Sequence, residues 1–149
     1  MKTFEISTDK LFTNITDIIN NELKDYSNGL AHIYTPHTTA CLTTLEDELL
    51  HLVDVRFFLD KLAPLHKDPE GDHKNIKYLH DLISLRSDVP SNERINGHSH
   101  IRGLFFRSSE LIPFISGKLL LGQWKSIFFV ELDPGRDRKY YLNILKTED

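Results

Sequence analysis

Residues 109–145 read SELIPFISGKLLLGQWKSIFFVELDPGRDRKYYLNIL, and this stretch decides the fold class. SELIPFI, KLLLG, SIFFVEL and KYYLNIL are short runs of aromatic and aliphatic residues, the composition of strands in a packed sheet. ISGK and DPGRDR separate them with the glycine and proline that tight turns use. The last third of the chain therefore predicts an antiparallel-rich sheet.

Working outward from it, the periodicity changes. KTFEIST alternates Phe4 and Ile6 with polar neighbours and predicts a strand. TNITDIINNELKDY sets Ile15, Ile18, Ile19 and Leu23 at helical spacing, with Thr13 as N-cap and Asn28-Gly29 ending the pattern. GLAHIYT and ACLTTLE predict two more strands, interrupted at PHTT by Pro36. EDELLHLVDVRFFLDKLAP predicts the second helix. Its Leu49, Leu50, Val53, Phe57 and Leu62 share a stripe, its acidic residues come first and Pro64 follows its end. Residues 65–95 are polar and turn-rich, a long loop of the kind that carries function. There is no internal repeat. The expectation is α+β: one domain over residues 1–149, with two main helices in the first half and an antiparallel-rich sheet.

A chain of 149 residues can bury a core of its own, and 40% hydrophobic with 27% charged residues is an ordinary globular mix, which excludes general disorder. The 18 Lys+Arg against 22 Asp+Glu leave a formal charge of −4, so no basic surplus points to nucleic acid. Cys41 stands alone, which excludes an intrachain disulfide and a cysteine-rich zinc site and fits a reducing interior. MKTFEISTDKLF lacks the apolar core of a signal peptide, and runs such as SIFFVEL are too short to cross a bilayer. A cytoplasmic protein without membrane or nucleic-acid partners is expected.

Of the eight histidines, His51 reads as a helix residue, His66 and His73 as loop residues, and His32 as a strand residue. His37, His80, His98 and His100 remain. In NGHSH, His98 and His100 share a face if the chain is extended and diverge if it is helical. Three neutral imidazoles from separate segments, His37, His80 and His100, can hold a divalent ion and leave a position open for water or substrate. H-x-H spacing is equally compatible with acid–base groups, phosphate binders or surface histidines. Glu46 is either a helix-dipole partner or a base near His37. Arg136 follows a Pro-Gly turn and suits a bidentate phosphate contact. Trp124, two residues after Gly122, serves packing or ligand stacking.

In order along the chain, PHTTACLTTLE, YLH, NGHSHIRGLFF and LLLGQWKSIFFVELDPGRDR resemble the YjbQ-like family, known also as secondary thiamine-phosphate synthase enzymes. The resemblance covers nearly the whole chain. It implies an α+β domain assembled as a homotrimer, with a site drawn from His37, Thr38, Thr39, Glu46, His80, Asn96, His100, Gly122, Trp124, Glu131 and Arg136. Where many members read N-A-D-A-H, this chain has Asn96-Gly97-His98-Ser99-His100, so a histidine stands at a carboxylate position. G-T-W-Q is replaced by Gly122-Gln123-Trp124-Lys125, and D-G-P-R by Asp133-Pro134-Gly135-Arg136.

The implied reaction joins a pyrimidine methyl diphosphate to a thiazole phosphate and releases pyrophosphate. Carried onto this chain, His37, His80 and His100 hold a divalent metal ion, Zn²⁺ or Mg²⁺, although Mg²⁺ prefers oxygen ligands. Thr38, Thr39, Asn96, Arg102 and Trp124 bind substrate, and Glu46, His98 and Arg136 act in catalysis. Two alternatives remain: a metal-dependent hydrolase with a three-histidine site, and a non-catalytic trimeric binder of a small phosphorylated metabolite.

Overall fold

Alternation of apolar and polar residues builds two antiparallel sheets whose apolar faces meet. A computed structural model describes residues 1–65, 76–90 and 92–146; the readings of His66 and His73 fall outside them. The larger sheet has the order β1 (Lys2–Ser7), β8 (Asp137–Lys146), β3 (Asn28–Tyr34), β5 (Ser109–Ile115) and β6 (Lys118–Leu119). The smaller runs β2 (Phe12–Asn14), β7 (Lys125–Glu131) and β4 (Ala40–Glu46). Between them lie Ala31, Ile33, Phe114, Tyr140 and Leu142 from one sheet and Leu42, Ile127 and Phe129 from the other. Helix α1 (Thr16–Leu23) adds Ile19 and Leu23 to the same core. Each such large side chain taken from water contributes about 1.5–3 kcal/mol. The result is the α+β domain expected, its strands divided between two sheets.

The turns fall where the glycines predicted them. Gly117 takes φ +73° between β5 and β6, and Gly135 takes φ +80° between β7 and β8. Several local expectations are corrected. Thr13 does not cap α1, because it sits in β2 opposite Phe129; the Asn14 side chain instead accepts from the Thr16 N–H at 2.8 Å. KLLLG keeps only Lys118 and Leu119 as strand.

Helix α2 (Leu49–Leu62) begins where the Glu48 carboxylate accepts from the Leu50 and His51 N–H groups, both at 2.9 Å. Its apolar stripe of Leu49, Leu50, Val53, Phe57 and Leu62 faces solvent, and Leu59 is its buried residue. The long loop contains a 3-10 helix at Leu79–Leu85. GHSHIRG forms helix α3 (Gly97–Gly103), with Asn96 at its N-cap, so His98 and His100 point in different directions. Among the described residues no helix is long and apolar enough to cross a membrane.

Candidate functional site

Four chain segments meet at the end of the small sheet where β4 begins and β7 ends. The chain leaving β3 is pinned by Thr35, which donates to the Lys139 carbonyl at 3.1 Å. This presses Pro36–Thr39 against the start of β8. The 3-10 helix brings His80, α3 and its N-cap bring His100 and Asn96, and the β7–β8 turn and the start of β8 bring Arg136 and Arg138. Together with Glu93 and Ile83 they line an open cavity of about 440 Å³.

The imidazoles of His80 and His100 lie with ring centroids 4.4 Å apart, inclined at 34°. A contact between two elements sets this distance. Asp81, buried beside His80, accepts from the Gly97 N–H at 2.9 Å and so satisfies the first turn of α3. A Cβ on Gly97 would stand 2.5 Å from Tyr78 Cβ and 2.7 Å from Asp81 Oδ1. Only glycine lets the 3-10 helix approach this closely. Burial, followed by the neighbouring His80, lowers the His100 pKa below the ordinary histidine value. His37 is also lowered, first by burial and then by the Arg138 charge, against an opposing pull from Glu131. At neutral pH both rings are therefore uncharged. His37 Nε2 accepts from the Lys139 N–H at 2.9 Å, which places the proton of the neutral ring on Nδ1.

Two carboxylates hold the arginines. The buried Glu131 receives Arg138 in a two-point contact, Nε at 2.7 Å and Nη2 at 2.8 Å, and Arg138 Nη2 also donates to Thr39 Oγ1 at 2.9 Å. Asp133 accepts from Arg94 at 3.1 Å, Asn96 at 2.9 Å and Arg136 Nε at 2.8 Å. Burial works to raise the Asp133 pKa, but these hydrogen bonds and charges outweigh it and hold the carboxyl below its usual range. Arg138 and Asp133 were not anticipated as site residues. The alternation Arg136-Asp137-Arg138 at a strand start was the available signal, since residues two apart share a face.

The expected site residues therefore divide into three groups. His37, Thr38, Thr39, His80, Asn96, His100 and Arg136 line one cavity. His98 and Arg102, one helical turn apart, line a different cavity of about 520 Å³ on the other side of α3. There Arg102 donates to the Ala63 carbonyl and to Asp60, both at 2.8 Å, and ties α3 to α2. His98 meets the Ser99 hydroxyl at 3.1 Å. Glu46 and Trp124 lie at the far end of β4 and β7, where Glu46 pairs with Lys125.

The donor set also bears on a metal. His37 uses Nε2 for a backbone N–H, and among the described residues no group of three or more His, Cys, Asp or Glu side chains is arranged to hold an ion. The three-imidazole ligand set is thus not assembled in this arrangement of the described residues.

A family model described as UPF0047 protein YjbQ-like matches residues 2–147. A UPF0047 protein of Archaeoglobus fulgidus is 32% identical over 132 residues, covering 89% of each chain. UPF0047 protein MJ1081 of Methanocaldococcus jannaschii is 33% identical, covering 88% of this chain and 78% of the relative. Among solved structures, a YjbQ/UPF0047 protein of Clostridium acetobutylicum superposes with a TM-score of 0.75 at 28% identity, over 97% of this chain and 100% of that one. The hypothetical protein APE1520 of Aeropyrum pernix gives 0.76 at 28% identity, over 98% of both.

Proposed function

The chain belongs to the YjbQ-like family UPF0047, and on that footing we propose that its His80–His100 cavity binds a small phosphorylated metabolite for group transfer of the thiamine-phosphate-synthase type. One observation carries this reading: a single open cavity gathers two paired imidazoles, a third imidazole, two threonines and two arginines from four segments. These groups offer N–H and O–H donors and positive charge, the chemistry that phosphate oxygens need. Arg136 is held between Asp133, which accepts from its Nε at 2.8 Å, and Glu93, 3.6 Å from its Nη2, so its guanidinium is oriented before a ligand arrives.

In the proposed reaction the methylene carbon of the pyrimidine methyl diphosphate loses its bond to oxygen and gains one to the thiazole nitrogen. Pyrophosphate leaves with the electron pair. Arg136 and the imidazole N–H groups stabilise the charge that grows on it, in the manner of an oxyanion site. A homotrimer in a cytoplasmic setting is part of the proposal. It is supported by Leu49, Leu50, Phe57 and Phe58 on one helix, all more than half exposed, which form an apolar surface of the kind that subunits cover.

The test is thiamine-phosphate formation from the two phosphorylated substrates by wild type, His100→Ala and Arg136→Ala. Turnover that falls at least about a hundredfold in either variant is expected if proton-handling and oxyanion contacts are lost. Equal rates in all three proteins would remove the cavity from the chemistry. Binding without turnover by the wild type would leave a non-catalytic binder of phosphorylated metabolites.

A further inference from the structure

Asn96 is the odd member of the cavity's polar lining. It stands at the N-cap of α3, where an asparagine oxygen ordinarily accepts from the first N–H groups of the helix. Here its side chain makes no capping bond. The Gly97 N–H goes to Asp81, and the Ser99 N–H goes to the Asn96 main-chain carbonyl at 2.8 Å. The side chain turns instead to Asp133, to which Nδ2 donates at 2.9 Å in a buried contact. An ionised carboxylate can only accept, so the amide can present only its nitrogen there. That fixes which way round the amide lies.

The amide oxygen is left over. Asn96 is 4% exposed, and its Oδ1 is the one buried side-chain nitrogen or oxygen among the described residues that has no hydrogen-bond partner. Burying an acceptor without a donor is costly, and such a group is found where a ligand or a reaction step uses it. Asp133 lines the cavity on the far side of α3, whereas Asn96 lines the His80–His100 cavity. The nitrogen thus faces one cavity, and the oxygen is left to the other.

The neighbours of that oxygen narrow its partner. Arg136 is held by Asp133 and Glu93, and Arg138 by Glu131, so net charge does little to tell one oxyanion from another. Selection falls to hydrogen bonding. His37 keeps its proton on Nδ1, and Thr39 Oγ1 accepts from Arg138, which leaves its own O–H to donate. Phosphate oxygens meet donors of this kind. A bare oxyanion offers nothing to the lone pairs of Asn96 Oδ1, but an oxyanion that keeps one O–H matches them. Being neutral, the amide accepts from that O–H without repelling the anion, as a carboxylate would.

We propose that Asn96 Oδ1 recognises the proton of a hydrogen phosphate group, so that the cavity takes phosphate in a form that carries an O–H and rejects oxyanions that have none. The ligands are then free phosphate and pyrophosphate, which keep a proton at neutral pH, and phosphate monoesters as their monoanions. This rests on the phosphate-site reading above and names the protonation state that the site selects.

Calorimetric titration at pH 8 with inorganic phosphate, sulfate and methyl phosphate tests it. All are tetrahedral dianions there, since a monoester loses its second proton at about pH 6, and inorganic phosphate is the member with an O–H. The wild type should bind inorganic phosphate at least about a hundredfold more tightly than either analogue. Asn96→Ala, and Asn96→Ser with a hydroxyl that can still cap α3, should bring the affinities within about tenfold of one another. Loss of the bond to Asp133 loosens Arg136 for every anion alike, so a merely structural role would weaken them together and leave the ratios unchanged. Unchanged ratios in both variants overturn the role of Asn96. Sulfate or methyl phosphate bound by the wild type as tightly as inorganic phosphate overturns the inference and leaves an anion site. If the wild type binds none of them, the phosphate-site reading falls, and this inference with it.

Discussion

His100 gains its properties from what surrounds it. Burial and the ring of His80 at 4.4 Å both oppose its positive charge. His80→Ala should therefore raise the His100 pKa toward the ordinary value near 6.5, seen in NMR titration of the ring protons. The same shifts link stability to pH. His37, His98 and His100 all have lowered values in the fold, so below about pH 6.5 the unfolded chain binds more protons than the native one. Stability from these groups is complete above that pH and is lost as the pH falls through the folded values. Pyrophosphate should oppose the trend, because bound anion favours imidazolium. Its stabilising shift of the melting midpoint should grow between pH 7 and 5.5, and a shift independent of pH would contradict the assignment. Arg138 makes a separate claim. Its pair with Glu131 is 6% and 0% exposed at the side chains, so Arg138→Met leaves a buried carboxylate without its partner. A loss of about 3–5 kcal/mol is expected in urea unfolding. His37, His80, His100 and Arg136 were legible from their motifs. Arg138 was not, because its importance depends on a residue seven positions away across a turn.

At the scale of elements, α3 decides which histidines meet. Seven residues are too few for periodicity to distinguish helix from strand, so NGHSH read alone leaves both open. The decision is tertiary: Asp81 accepts from the Gly97 N–H, and the glycine admits Tyr78. As a helix, α3 gives His100 to one cavity and His98 to another. Gly97→Ala separates packing from propensity. Alanine is the better helix former by up to about 1 kcal/mol, yet its Cβ must displace the 3-10 helix. A net loss of about 1–3 kcal/mol is expected, together with a His100 pKa moved upward as His80 withdraws. A variant more stable than wild type with an unchanged His100 would show that the close approach is not needed. Helix α2 was legible as an element from its stripe and its acidic start. That its stripe faces solvent was not, because amphipathicity shows that a face is apolar without showing what covers it.

For the whole molecule, the strand-rich last third correctly indicated the α+β class and antiparallel sheets, but of its consecutive strands only β5 and β6 pair, while β7 and β8, joined by the DPGRDR turn, lie in different sheets. The division into two sheets was not visible, since which strands neighbour one another depends on long-range pairing such as β1 with β8. The exposed Leu49, Leu50, Phe57 and Phe58 belong to this scale too. Light scattering should give three chain masses for the wild type, and Phe57→Glu with Phe58→Glu should shift the protein toward monomer without unfolding it. Monomeric wild type at working concentration would contradict this. The central claim, that the His80–His100 cavity is a phosphate site, meets its most direct test in calorimetric titration with pyrophosphate at pH 7. Saturable binding by the wild type, weakened at least about tenfold in both His100→Ala and Arg136→Ala, is the predicted result, that loss being about 1.4 kcal/mol. No binding by the wild type, or equal binding by all three proteins, would contradict it.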